Sequence, residues 1–245
     1  MENMRSFDER NESLLFIIQN LSDLLKADYS HPEYCSKSHR DSLKSALDAM
    51  IKVHNDINQH LPPMGLKDII KQKSFRRGNF TLASGKSSDY FFDLKPTMLD
   101  PFGSNLIAGA VMARINMLYQ LGVIHRVDAI GGMATGGIPI VSVISALSHL
   151  KGIGQSVFFV RKATKDHGTE KLIEGTLEPG STVVLVEDVT TTGDSIMQAV
   201  RAVRAAGCHV YHVITIVDRL EGALENLCME GIELHPIFVR TDFDE

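Results

Sequence analysis

The chain has 245 residues, with 25 basic and 30 acidic side chains for a net charge of −5. At 44% hydrophobic and 22% charged it is globular rather than disordered or fibrous, and its mild acidity excludes a general nucleic-acid binder. No apolar run approaches the ~20 residues of a membrane helix. The first ten residues carry Glu2, Asp8 and Glu9 and lack the apolar core of a secretory signal, and three scattered cysteines fit reduced thiols in the cytoplasm.

Two stripes of helical period come first. Leu14, Ile17, Ile18, Leu21, Leu24 and Leu25 form one, and Leu43, Leu47, Met50, Ile51 and Ile57 the other, ended by Pro62 and Pro63. Residues 1–62 are therefore expected to form an N-terminal helical hairpin, and residues 63–245 the main domain. His31, Cys35 and His39 sit at metal-like spacing between the stripes. Pro32 interrupts them and no fourth ligand is evident, which argues against a metal site there.

Beyond Pro63, Leu66, Ile69 and Ile70 begin a short helix, and residues 81–94 read as a hairpin turning at Ser84-Gly85. Helices and strands then alternate: helix 105–121, strand 127–131, helix 139–150, strand 157–160, strand 182–186, helix 194–206, strand 210–217 and helix 222–229. Apolar strands alternating with helices predict an α/β fold, with a central parallel sheet flanked by helices.

The strand at 182–186 runs into Glu187-Asp188-Val189-Thr190-Thr191-Thr192-Gly193-Asp194-Ser195. Ligands of open α/β sheets bind outside the carboxyl ends of the strands, and a helix N-terminus favours phosphate. Hydroxyls from Thr190 to Ser195 add donors, Gly193 lets the backbone approach, and the two acids suit ribose hydroxyls. An ordinary capped strand-to-helix turn would also use Asp and Thr, but the whole combination reads as a ribose-5-phosphate cradle. It lacks the Lys of a Walker A loop and is not a G-x-G-x-x-G fingerprint.

A second segment begins where the strand at 157–160 ends. Residues 161–171 carry four Lys/Arg and two acids, and include Arg161, Lys162, Lys165, His167 and Gly168. Such a loop is either a solvated connector or a functional lid, and its place at a strand's carboxyl end favours the lid.

Together these motifs resemble the type I phosphoribosyltransferases. The Glu187–Ser195 stretch is similar to their phosphoribosyl diphosphate (PRPP) motif, and Arg161, Lys162, Lys165 and His167 resemble the catalytic loop of the orotate phosphoribosyltransferases. The resemblance implies the type I phosphoribosyltransferase fold with a small hood over the sheet. It also implies transfer of the 5-phosphoribosyl group from PRPP to orotate, giving orotidine 5′-monophosphate and diphosphate in UMP synthesis.

Carried over residue by residue, the resemblance makes Arg161, Lys165, His167 and Asp188 catalytic. PRPP would be held by Arg161, Lys162, Lys165, His167, Glu187, Asp188, Val189, Thr190, Thr191, Thr192, Gly193, Asp194 and Ser195, with Thr135 and Gly136 of a glycine-rich diphosphate loop. Orotate would meet Phe91, Phe92, Thr191 and Arg219, the last through its carboxylate. The resemblance further implies Mg²⁺, held mainly by PRPP with Glu187 or Asp188 assisting, and a homodimer with shared active sites. Opposite-facing strand neighbours such as Phe91 and Phe92 cannot both lay side chains on one flat ring. Ala83 and Gly136 stand where family members often carry Lys. Two rival functions follow: a phosphoribosyltransferase for another base, opposed by Phe91, Phe92 and Arg219, and a PRPP-sensing regulator without catalysis, opposed by the complete basic loop.

Overall fold

A computed structural model describes residues 65–81, 87–162 and 172–244, together with Ser45 and Ala49, which are helical and exposed. The chain divides between Met64 and Gly65. The expected N-terminal hairpin, the His31, Cys35 and His39 spacing, Ala83, and the loop residues Lys165 and His167 lie outside the described residues.

In the second unit, α1 (Leu66–Lys73) leads into a hairpin of β1 (Phe75–Thr81) and β2 (Ser87–Phe92). The hairpin's first arm lies earlier than the sequence suggests. Arg76, Arg77, Gly78 and Asn79 break the apolar alternation, and the β1–β2 register shifts between Arg77 and Phe80. A short α2 (Lys95–Met98) follows, then α3 (Pro101–Gln120). That helix starts four residues before the expected point because Asp100 caps it, accepting from Phe102 N at 3.1 Å and Gly103 N at 2.8 Å, with Pro101 in its first turn. Such a cap typically contributes about 1 kcal/mol.

The remaining elements are β3 (Ala129–Met133), α4 (Gly137–Leu150), β4 (Ser156–Val160), β5 (Ile173–Gly175), β6 (Thr182–Thr190), α5 (Asp194–Ala205), β7 (His209–Asp218), α6 (Ala223–Met229), β8 (Glu233–Val239) and a final 3-10 turn (Arg240–Phe243). Six strands form one sheet in the order β5-β4-β3-β6-β7-β8. All its pairings are parallel except β4 with β5. This bears out the α/β expectation and adds β5 and β8.

Each face of the sheet is covered. Ile107, Ala108 and Val111 of α3 and Ile140, Val141 and Ile144 of α4 pack against Ile130, Val184, Val186, Ile214 and Ile216. Ile196, Val200 and Val203 of α5 and Leu227 of α6 pack against Ala129, Val183, Leu185, Val210 and Val213. Burial on both faces is why β6 reads as a continuous apolar run. Among the described residues no helix is long and apolar enough to cross a membrane.

Strand order reverses between β3 and β6. From β3 the chain moves outward to β4, then returns across β3 to β6. The loops leaving the carboxyl ends of β3 and β6 therefore part around a crevice, the position that binds ligands in such sheets.

Candidate active site

The β6 loop supplies two acids of different character. Glu187 is buried at 5% exposure, whereas Asp188 is half-buried. Glu187 Oε1 accepts the Asp188 backbone N–H at 3.3 Å, and its Oε2 has no hydrogen-bond partner. Burial first, and the adjacent Asp188 charge second, push the Glu187 pKa well above its ordinary 4.5. In the folded protein this side chain therefore holds its proton to higher pH than in the unfolded chain. From pH 4.5 up to the folded pKa the native state binds more protons, so this group's contribution to stability falls as pH rises. Glu187→Gln is expected to remove that fall, read as a smaller loss of melting temperature across the same pH range. An unchanged profile would contradict it.

The loop then turns through Gly193, whose φ of +86° favours glycine, into α5. Within it the hydroxyls differ. Thr190 is buried, and its Oγ1 donates to Asp218 Oδ1 at 3.1 Å, away from the crevice. Val189 packs against the core. Thr191 is half-buried, with its carbonyl accepting from Ala223 N at 3.1 Å. Thr192, Asp194 and Ser195 are exposed, and Thr192 Oγ1 donates to Asp194 Oδ2 at 2.8 Å. For Val189 and Thr190 only the backbone is left to a ligand.

The β3 loop meets this one at Asp188. Thr135 is exposed and follows a cis peptide after Ala134. A Cβ on Gly136 would lie 2.5 Å from Asp188 Oδ1. Glycine here lets the loop close on the carboxylate, and any side chain must displace it. Gly136→Ala is expected to push the half-buried Asp188 carboxylate aside and so to raise the KM for the PRPP that the motif resemblance implies, with little change in melting temperature. An unchanged KM would show that Asp188 moves without cost. One residue missed in the sequence bears on the same point: Lys95 of α2 bonds Asp93 at 2.9 Å, and its pKa is raised by that bond first and also by the charge of Asp188. It supplies a cation near the carboxylate although Gly136 has none.

The basic loop is anchored at both roots. Arg161 N–H donates to Leu172 O at 2.8 Å, and Val160 pairs with Ile173. The Arg161 guanidinium lies 3.4 Å from Glu174, and Lys162 is exposed.

Arg219 follows β7 and is 7% exposed. Its guanidinium lies 4.9 Å from the centre of the Tyr90 ring, with Arg240 at 5.2 Å from the same ring. Its Nη2 is 2.7 Å from Glu221 Oε1, but off the direction of a hydrogen bond, so Nε and Nη2 are both buried without hydrogen-bond partners. A buried guanidinium with two unused donors is costly unless a ligand completes it. Tyr90, Glu221 and Arg240 were not singled out in the sequence. Period-two alternation in β2 is the one local signal that could have marked Tyr90, and nothing local marks its distant partners.

Phe91 and Phe92 separate as strand geometry requires. Phe92 is buried, 4.8 Å from Phe75 and 5.1 Å from Phe243 between ring centres, whereas Phe91 is 39% exposed and meets Phe80 at 5.5 Å. The Phe92 side chain belongs to the core and shares a strand face with Tyr90, 5.8 Å away between ring centres, on which Arg219 lies, whereas Phe91 points to the opposite face.

A phosphoribosyl transferase domain model matches residues 110–239, more than half of the chain. Over 182 residues the chain is 43% identical to the orotate phosphoribosyltransferase of Rhodopseudomonas palustris, covering 73% of this chain and 94% of that protein. The chain belongs to the orotate phosphoribosyltransferases. Another orotate phosphoribosyltransferase, from Sorangium cellulosum, is 39% identical over 177 residues, covering 71% of this chain and 89% of its own length. Among solved structures, the Mycobacterium tuberculosis orotate phosphoribosyltransferase in complex with PRPP superposes with a TM-score of 0.58 at 31% identity, covering 74% of this chain and 97% of that one. The fold expected from the motifs is thus that of the orotate phosphoribosyltransferases.

Proposed function

We propose that the chain transfers the 5-phosphoribosyl group of PRPP to N1 of orotate. The bond from ribose C1 to diphosphate oxygen breaks and a C1–N1 bond forms. N1 gives up its proton, and diphosphate leaves with the electron pair of the broken bond. The products are orotidine 5′-monophosphate and diphosphate, within pyrimidine synthesis.

The observation that carries the choice of acceptor is Arg219. Its buried Nε and Nη2, which make no hydrogen bond although Nη2 is ion-paired with Glu221, suit the two oxygens of a planar carboxylate, which orotate has and uracil lacks. The resemblance assigns Phe91 and Thr191 to the base as well, but the aromatic ring beside Arg219 is that of Tyr90, on the strand face opposite Phe91. Asp188 and Glu187 accept ribose hydroxyls. Backbone N–H groups of residues 189–195, with the hydroxyls of Thr191, Thr192 and Ser195, hold the 5′-phosphate at the α5 N-terminus. Thr135 and Gly136 present the diphosphate loop. Arg161, Lys162, Lys165 and His167 close over the diphosphate as its charge develops, and closure keeps water from the ribosyl centre.

Two neighbouring carboxylates, one with an orphaned buried oxygen, fit the usual Mg²⁺ site of one or two acids completed by substrate oxygens and water. When bound, Mg²⁺ would offset charge on the diphosphate. The working unit is a homodimer in the cytoplasm, with the loop of one subunit serving the site of the other.

Purified protein given PRPP and Mg²⁺ with orotate, uracil or hypoxanthine tests this reading. Orotate is expected to be preferred by at least about 100-fold in kcat/KM, the size of effect when a buried polar group loses its partner. Equal use of uracil or hypoxanthine would overturn it.

A further inference from the structure

Away from the crevice, β7 and β8 bring together a second set of chemically active side chains. The parallel register pairs His212 with Glu233 and Ile214 with His235. His212, Glu233 and His235 therefore share one face at the β8 edge of the sheet. His212 Nδ1 lies 3.2 Å from His235 Nε2, and the same Glu233 Oε2 is 3.8 Å from the first and 3.7 Å from the second. A hydrogen bond between the imidazoles accounts for the first distance but not for the other two, which are too long for one. All three distances have another common explanation. A point equidistant from the three atoms lies about 2.1 Å from each, the length of Zn–N and Zn–O bonds.

We propose that His212, Glu233 and His235 bind a divalent transition-metal cation of the Zn²⁺ class. Two imidazoles and one carboxylate suit Zn²⁺ and its neighbours, whereas Mg²⁺ demands oxygen ligands in an octahedron. The His212 and His235 side chains are 12% and 13% exposed, and Glu233 is 64% exposed, so the site is walled on the protein side and open to water on the other. Burial lowers the pKa of both histidines, which keeps their lone pairs free for a metal. Arg114 and His125 also face the cluster, and their charges oppose a cation. Glu233 offsets part of that charge.

The site is separate from the reaction. His212 stands six residues before Asp218 on the same strand, about 20 Å at the rise of a β-strand. A cation here ties the edge strand β8 to β7. β8 leads directly to the final turn, where Phe243 packs against Phe75 and Phe92 of the hairpin. Its effect is therefore on stability rather than on turnover.

The full chain, stripped with chelator, is titrated with Co²⁺ as a coloured probe and then with Zn²⁺ in competition, beside Glu233→Gln and His235→Gln. The readout is the difference between proteins, so that weak binding elsewhere on the chain cancels. The wild type is expected to hold one more equivalent than either variant, or to hold it more than 100-fold tighter, since loss of even an outer partner costs about 10–100-fold. Zn²⁺ is expected to raise the wild-type melting temperature and not that of Glu233→Gln. Glu233 is exposed, so that variant keeps its fold, and its turnover with Mg²⁺ is expected to match the wild type. The same stoichiometry and affinity in all three proteins would overturn the proposal, as would an equal Zn²⁺ shift in wild type and Glu233→Gln.

Discussion

Arg219→Ala is expected to lower kcat/KM for orotate by about 10²–10⁴-fold. Two hydrogen bonds to a charged group are each worth about 1.5–3 kcal/mol, and the guanidinium has two buried donors without hydrogen-bond partners, one of them ion-paired with Glu221. Activity toward uracil, which has no carboxylate to lose, is expected to change far less, so the preference collapses. The fold is expected to hold, because the nearby Glu221 carboxylate is 34% exposed and takes up water once the cation is gone. Arg219→Lys separates charge from geometry. A lysine keeps the positive charge but lacks the planar fork, so it is expected to recover only part of the loss. Steady-state kinetics with both acceptors check this. An Arg219→Ala enzyme that still favours orotate as strongly as the wild type would remove Arg219 from acceptor recognition.

The second large effect concerns the basic loop. Lys165→Ala and Asp188→Asn are each expected to be nearly inactive alone, the first by losing a cation at the leaving diphosphate and the second by replacing one of two acceptor oxygens with a donor. Mixed under conditions that exchange subunits, they are expected to regain activity toward half per heterodimer. If the loop serves the partner's site, one site of the heterodimer carries both defects and the other is intact. If the loop serves its own site, every site keeps one defect and nothing returns. The motive is the resemblance of residues 161–168 to a loop that acts between subunits. The pairing of β4 with β5 adds that both roots of the loop are fixed while its middle spans residues 163–171. No recovery, with exchange verified by mass, would place the loop in its own subunit and leave the reaction assignment intact.

Local signals carried much of this fold, and long-range ones did not. β6 and α5 were legible because burial on both faces makes a strand continuously apolar, and because Ile196, Val200 and Val203 repeat at helical spacing. β1 was obscured by Arg76 and Arg77. Arg77 reaches the carbonyls of Phe243 and Asp244 at the far end of the chain, a contact no window of sequence reveals. β8 was hidden by Pro236 in an edge strand, where proline is tolerated, and β5 by its three residues.

The candidate site divides in the same way. The run from Glu187 to Ser195 is contiguous, so its chemistry could be read directly. What the sequence could not convey is that Thr190 turns inward to Asp218, or that Gly136 rests on Asp188. The setting of Arg219 depends on Tyr90, more than a hundred residues earlier, whose hydroxyl bonds Glu221 at 3.3 Å. The His212, Glu233 and His235 cluster is likewise invisible to spacing, because it forms across two strands joined by a helix.

The most direct measurement is the mass balance of the reaction. Protein, PRPP, Mg²⁺ and orotate are mixed, and orotate loss is followed together with diphosphate release and formation of the nucleotide. One orotidine 5′-monophosphate and one diphosphate are expected for each orotate consumed, with no consumption when PRPP is omitted. PRPP binding without loss of orotate, or diphosphate release without nucleotide, would contradict transfer to orotate.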